Sequence, residues 1–256
     1  MKRRLEDKVA IVVGAGTRGE EVGNGKAAAI QFAREGAKVL CVDCDEAAAD
    51  ATRDVIRSEG GQAETCIADI VNAKDCQVAV EMCLKHFRKL DVLHNNVGVG
   101  EGKEIVDATE EDWNKAFDIN VKGMFLMCKY AIPKMIDGGG GSIINISSIA
   151  SVRPMSGVTY STTKGAVNTL TIYIARRYAR YNIRANALML GYMDTPLVRP
   201  VWQDERIREI NLNQVPLRRF GSPWEGATVA AFLASDEASY VTGVVIPVDG
   251  GLILRI

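Results

Sequence analysis

Tyr160 and Lys164 stand four residues apart, with Ser147-Ser148 a short way upstream. On a helix that spacing puts a phenol and an ammonium on one face, close enough to influence each other's protonation. A free phenol titrates near ~10, too high to exchange protons efficiently at neutral pH. A neighbouring ammonium favours the phenolate, which makes the tyrosine a usable general acid or base. Ser148 closes the run Ile143-Ile144-Asn145-Ile146-Ser147, which reads as a buried strand. Its hydroxyl is therefore expected at a strand's carboxyl end, where open parallel sheets bind ligands. The pair alone has an ordinary explanation as a solvated helix face. Its position after a glycine loop, an acidic strand end and an Asn-Asn-Val-Gly turn is what gives it chemical meaning.

The elements that must hold these groups alternate along the chain. Short apolar runs at 8–13, 37–42, 64–67, 91–94, 143–147, 183–188 and 244–248 read as seven buried strands. Helical patterns fall between them at 26–35, 46–58, 73–88, 110–118, 121–136, from about Tyr160, and at 224–234. After Gly191 the pattern loosens over a stretch containing Pro196, Pro200 and Pro216. Regular alternation implies a doubly wound, parallel α/β sheet with helices on both faces. With no repeat, low-complexity tract or linker, residues 1–256 are expected to form one domain, with 192–216 as its irregular part.

Composition narrows the function classes. Charged residues make up 25% of the chain and the net charge is −1, so no global field draws it to nucleic acid or an anionic membrane. The basic start is followed by an apolar run too short for a signal peptide, and no stretch approaches the ~18 apolar residues of a membrane span. The six cysteines are scattered. Cys41-x-x-Cys44 lacks the second pair or histidine that would complete a metal site. A reduced, cytoplasmic protein without a metal is expected.

The first strand leads into Gly14-Ala-Gly16 and then Gly23-Asn24-Gly25 ahead of an alanine-rich helix. Glycines there let the backbone approach a pyrophosphate, while the helix start offers free N–H groups and a positive dipole end. Asp43 follows the second strand, where a carboxylate can accept hydrogen bonds from an adenosine ribose. It would repel a 2′-phosphate by ~4 kcal/mol at 4 Å and an effective dielectric of 20, which favours NAD over NADP.

Taken together and in order, these motifs resemble the short-chain dehydrogenase/reductase family almost end to end. The family's glycine loop corresponds to Gly14…Gly23-Asn24-Gly25, its acidic cofactor selector to Asp43, and its adenine-side pair to Asp69-Ile70. Its Asn-Asn-Ala-Gly turn is matched by Asn95-Asn96-Val97-Gly98, and its helix asparagine by Asn120. The catalytic serine falls on Ser148 and the Tyr-x-x-x-Lys pair on Tyr160 and Lys164, while the segment under the nicotinamide corresponds to Gly191, Met193 and Thr195-Pro196. Three departures stand out. The glycine loop is longer than the family's usual form, the extra material lying within 17–22, so that Arg18 or the two glutamates would lie over the phosphates or point to solvent. Leu190 replaces a proline before Gly191, and Val97 replaces an alanine.

The resemblance implies a Rossmann-type three-layer fold and a hydride-transferring oxidoreductase. Tyr160 would exchange the alcohol proton, Ser148 would hold the substrate oxygen, and Lys164 would bind the nicotinamide ribose and lower the phenol's pKa. Asn120 would interrupt its helix and hold a water on the way to Lys164. The expected reaction interconverts a secondary, cyclic or apolar, alcohol and its ketone with NAD. The alternatives are an NADP-linked reductase, with Arg18 offsetting Asp43, and a non-catalytic nucleotide sensor or scaffold. A homotetramer or homodimer is implied as well. Residues 192–216 would cover the substrate, and Val99, Met155, Tyr192, Met193 and Trp202 are candidate pocket walls. Arg153 would face either an anionic substrate or solvent. His86, His94, Trp113 and Trp224 read as packing residues.

Overall fold

In the computed structural model residues 3–17, 21–100, 102–196 and 198–254 are described, except for the side chain of Val201. Seven parallel strands, β1 (Val9–Val13), β2 (Lys38–Asp43), β3 (Gln62–Ile67), β4 (Val92–Asn95), β5 (Gly141–Ser148), β6 (Ile183–Leu190) and β7 (Val245–Val248), form one sheet in the order β3-β2-β1-β4-β5-β6-β7. Its helices are α1 (Asn24–Arg34), α2 (Glu46–Ser58), α3 (Ala73–Phe87), α4 (Glu110–Phe117), α5 (Gly123–Asp137), α6 (Val158–Tyr178), α7 (Arg199–Trp202), α8 (Glu205–Gln214) and α9 (Pro223–Ala234). This is the Rossmann-like doubly wound architecture that the alternation predicts.

The central strands β1 and β4 are buried at every position because helices cover both faces. All five residues of β1 are buried. Val9, Ile11 and Val13 point into one core with residues of α3, α5 and α6, including Val80, Met127 and Ile174. Ala10 and Val12 point into the other, with Phe32 of α1, Ile56 of α2 and Leu233 of α9. Side chains fix several helix starts. Asp45 accepts from the Ala48 amide at α2, Asn72 from Lys74 at α3, and Thr109/Asp112 and Ser222/Glu225 form capping boxes at α4 and α9.

Strand order reverses between β1 and β4, whose Val13 and Asn95 are in register. The carboxyl ends of these two strands and of β5 and β6, where Ser148 pairs with Leu190, face one crevice at this switch point.

The structure corrects several boundaries. Asp43 is the last residue of β2 rather than the first beyond it, and β3 starts at Gln62. The chain does not break between α4 and α5. It passes through a π-helical turn, Asp118–Lys122, that carries Asn120. The stretch after Gly191 is not wholly irregular either, since it contains α7 and α8.

Candidate active site

The crevice begins at the glycine loop. Gly14 (φ +74°) turns the chain out of β1, its amide donating to the Val42 carbonyl at 2.8 Å. Its own carbonyl lies so close to α1 that a Cβ at Gly25 would stand 1.8 Å from it. Asn96 Nδ2 donates to the same carbonyl at 3.2 Å, and Val97 packs on Gly14. Gly23 precedes α1 and its amide donates to Thr17 Oγ1 at 3.0 Å; no side chain caps the helix. The first-turn amides of α1, beginning with Asn24, are thus presented to the crevice. Arg18, expected here, lies outside the described residues, as do Gly19 and Glu20.

Asp43 is held by two backbone donors: the Gly16 amide at Oδ2 (2.8 Å) and the Asp45 amide at Oδ1 (3.1 Å). The carboxylate therefore faces the glycine loop in one orientation, with lone pairs left to accept further hydroxyls. Asp69, at the exposed end of β3, accepts from the Val71 amide and borders a groove that also includes Asn114, Lys115 and Ile119. Ile70 packs on Gly123 at the start of α5.

Strand β5, the π turn and α6 bring the proton-handling groups together. Ser148 ends β5 and its Oγ accepts from the Ala150 amide at 3.2 Å. Ser147 points the other way, donating to the Lys164 carbonyl at 3.2 Å. On α6 the Lys164 ammonium lies 5.5 Å from the Tyr160 ring centroid, is buried, and donates to the Ile146 carbonyl at 2.8 Å. Gly98 lies against the ammonium, where a Cβ would stand 2.9 Å from Nζ. Asn120 is fully buried and clamps the Val99 backbone, accepting from its amide at 2.7 Å and donating to its carbonyl at 2.8 Å. Its second amide proton goes to Thr163 Oγ1 at 2.9 Å.

Desolvation pushes the Tyr160 phenol above its ordinary pKa, and a hydrogen bond with the Ser148 hydroxyl draws it back. Lys164 is itself desolvated, its pKa pushed down to about 8, and one of its three N–H donors goes to the Ile146 carbonyl. Asn120 thus ties the loop after β4 to α6, with two bonds to Val99 and one to Thr163.

On the far side, a Cβ at Gly191 would stand 2.7 Å from Asp249 Cα, and the Gly191 amide donates to Val248 at 3.0 Å. Met193 bridges to Gly221, and Thr195 is buried. Trp202 stacks on Phe220 with centroids 3.8 Å apart, and Tyr192 meets both rings edge-on. The Tyr192 hydroxyl lies 3.8 Å from Met155 Sδ. Phe220 was not among the expected walls; lying among polar neighbours beyond α8, it carries no periodic signal. Arg153 is half-buried and donates through Nη1 to the Leu252 carbonyl at 2.6 Å. Arg199 of α7 pairs with Asp194 at 2.7 Å and with Glu21 of the lengthened glycine loop.

Of the residues set aside, His94 and Trp224 fall in the packing, while His86 and Trp113 are exposed on α3 and α4. His94 is buried edge-on to Phe32 with its pKa pushed down to about 4, Trp113 stacks on Phe117, and Arg34 covers Trp224. All six thiols are free, and burial pushes Cys41 up to about 12. Among the described residues no group of three metal-ligating side chains converges, and no helix is long and apolar enough to cross a membrane.

Comparison with known proteins places this geometry. Residues 19–253 match the family model described as enoyl-(acyl carrier protein) reductase. The 3-oxoacyl-[acyl-carrier-protein] reductase FabG of Thermotoga maritima is 37% identical over 254 residues, 98% of this chain and 100% of the relative. A solved 7α-hydroxysteroid dehydrogenase, complexed with NADH and 7-oxo glycochenodeoxycholic acid, is 33% identical with a TM-score of 0.91, over 98% of this chain and 96% of that one. A solved structure from Agrobacterium tumefaciens with bound NADP is 30% identical with a TM-score of 0.89, over 99% of both chains.

Proposed function

The chain belongs to the short-chain dehydrogenase/reductase family and is an NAD(P)-dependent oxidoreductase; from that premise we propose that it interconverts a secondary, cyclic or otherwise apolar, alcohol and its ketone, using NAD. The observation that carries this reading is the half-buried Tyr160, its phenol hydrogen-bonded with the Ser148 hydroxyl at the carboxyl end of β5 beside the switch point.

The residues present fit a dinucleotide. The uncapped start of α1 and the close approach of Gly25 to Gly14 suit a pyrophosphate, and Asp43, fixed by Gly16 and Asp45, suits the two hydroxyls of an adenosine ribose. Asp69 and Ile70 would border the adenine, Asn96 and Gly98 the nicotinamide ribose with Lys164, and Gly191, Met193 and Thr195 the nicotinamide. When bound, NAD accepts or supplies the hydride.

The protein's own part is proton handling and orientation. Tyr160 removes the hydroxyl proton in oxidation and returns one in reduction. Ser148 donates to the substrate oxygen and stabilises the charge that develops there. Lys164 supplies a buried positive charge below the ring, and Asn120 holds the Val99 loop against α6. Residues 192–216 form the substrate lid of a single cofactor-binding domain. Tyr192, Trp202 and Phe220 give that lid an aromatic wall, supporting an apolar ring in the substrate. Exposed Phe125 on α5 and Ile172 and Tyr173 on α6 support assembly as a homotetramer or homodimer, in a cytoplasmic setting.

The test is a panel of secondary alcohols and ketones with NAD(H) and NADP(H) in parallel, on wild type and Tyr160→Phe. Turnover with NAD(H) that collapses in the variant is expected. Better turnover with NADP(H) would replace the cofactor assignment, as would fit the relative with bound NADP. Tight NADH binding with no turnover across the expanded panel would favour the sensor reading.

A further inference from the structure

Gly100 touches the proposed acid/base directly. A Cβ built on it would stand 2.9 Å from Tyr160 Cβ and Cδ2 and 3.0 Å from Cγ. Real Cβ atoms do not approach ring carbons that closely, so the backbone of residue 100 serves as the seat of the ring. The requirement is one of space, since Gly100 does not have a positive φ.

Neither partner has room to retreat. Immediately before Gly100, Val99 is clamped through both its amide and its carbonyl by the buried Asn120. Beyond it, the Lys103 carbonyl accepts from the Val158 amide at 3.0 Å, and Lys103 Nζ pairs with Asp112 at 2.8 Å. Tyr160 is fixed from its own side by α6, which begins at Val158. Gly102, two residues along, is the opposite case. It needs its positive φ (+70°) but a Cβ there would meet nothing within 4 Å.

We propose that Gly100 is a positioning residue: its missing side chain lets the Tyr160 ring lie on the backbone and so holds the phenol against the Ser148 hydroxyl. The proposal rests on the reading of Tyr160 as general acid/base. An added methyl group turns the ring away from Ser148. Among the described contacts the charged group facing the ring is Lys164, which lies below the ring at 5.5 Å from its centroid and donates to the Ile146 carbonyl. With Ser148 withdrawn, burial alone acts on the phenol and the phenolate becomes harder to form.

The experiment compares Gly100→Ala, Gly102→Ala and Tyr160→Phe for kcat, KM, NADH affinity by fluorescence, and the pH profile of alcohol oxidation. Gly100→Ala is expected to lower kcat by about 30- to 100-fold. It should leave the NADH dissociation constant within about twofold and shift the rising limb of the profile to higher pH. Gly102→Ala strains the same loop without touching the ring and is expected to keep kcat within about threefold. Adding Lys103→Met to Gly100→Ala loosens the loop's second anchor and should restore part of kcat. Wild-type kcat and pH profile in Gly100→Ala, or equal losses in both glycine variants, would overturn the proposal while leaving an inactive Tyr160→Phe to uphold the functional reading. An active Tyr160→Phe would overturn both.

Discussion

The Lys164 ammonium lies 5.5 Å from the centre of the Tyr160 ring, yet its hydrogen bond goes to the Ile146 carbonyl at 2.8 Å. The i, i+4 spacing brings the two groups together without making the lysine the phenol's partner, a place taken by Ser148. Charge below the ring and hydrogen bonding at its tip are thus supplied by different elements, α6 and β5.

The desolvated lysine leaves a signature in stability. Its folded pKa is about 8, against ~10.4 in the unfolded chain. Between these values the unfolded state binds more protons, so stability rises with pH across that window. The full effect is at most about 3 kcal/mol. Denaturant titrations of the cofactor-free protein at pH 7 and pH 9.5 should show wild type gaining about 2 kcal/mol relative to Lys164→Met. Parallel curves for the two proteins would contradict a depressed lysine.

Asp43 is oriented by the Gly16 and Asp45 amides before any ligand arrives. Asp43→Asn keeps an acceptor for the ribose but removes the charge that repels a 2′-phosphate. The ratio of kcat/KM with NADP to that with NAD should rise at least about tenfold, a small share of the ~4 kcal/mol available at 4 Å and a dielectric near 20. An unchanged ratio would mean that another group selects the cofactor.

Asn120→Ala removes three hydrogen bonds at once and leaves both polar groups of the Val99 peptide without their partner. A loss of about 2–4 kcal/mol is expected, which for a chain of this size lowers Tm by about 5–10 °C. Thr163→Ala, which breaks only one of these bonds to Asn120, should cost less than half as much. Equal losses would show that the clamp on Val99 is not the source.

What the sequence discloses here follows from which forces act locally. The strands are legible because both faces are buried, so β1 appears as an unbroken apolar run and β5 as three isoleucines around Asn145. Gly14, Asp43, Ser148 and Tyr160 are legible because each stands at a boundary between elements. Helix α8 is not legible, since none of its residues is buried and no apolar stripe marks it. The joining of Trp202 to Phe220 and the seating of Tyr160 on Gly100 are contacts between a helix and a distant loop, with no periodic trace in the loop. The spacing of Tyr160 and Lys164 shows their proximity but not that the ammonium also donates to the Ile146 carbonyl.

The contact between Gly25 and the Gly14 carbonyl has a consequence for the ancestry of the lengthened loop. Because α1 rests on that carbonyl and Asn96 grips it as well, the two ends of the loop are fastened to each other independently of what runs between them. Closing a longer excursion between fixed ends costs only about 0.6 kcal/mol per doubling of length. Residues 17–22 are therefore a tolerant insertion point, at which descent can lengthen or shorten the chain, and a designer can graft a short peptide, while the anchors at Gly14 and Gly25 keep their places.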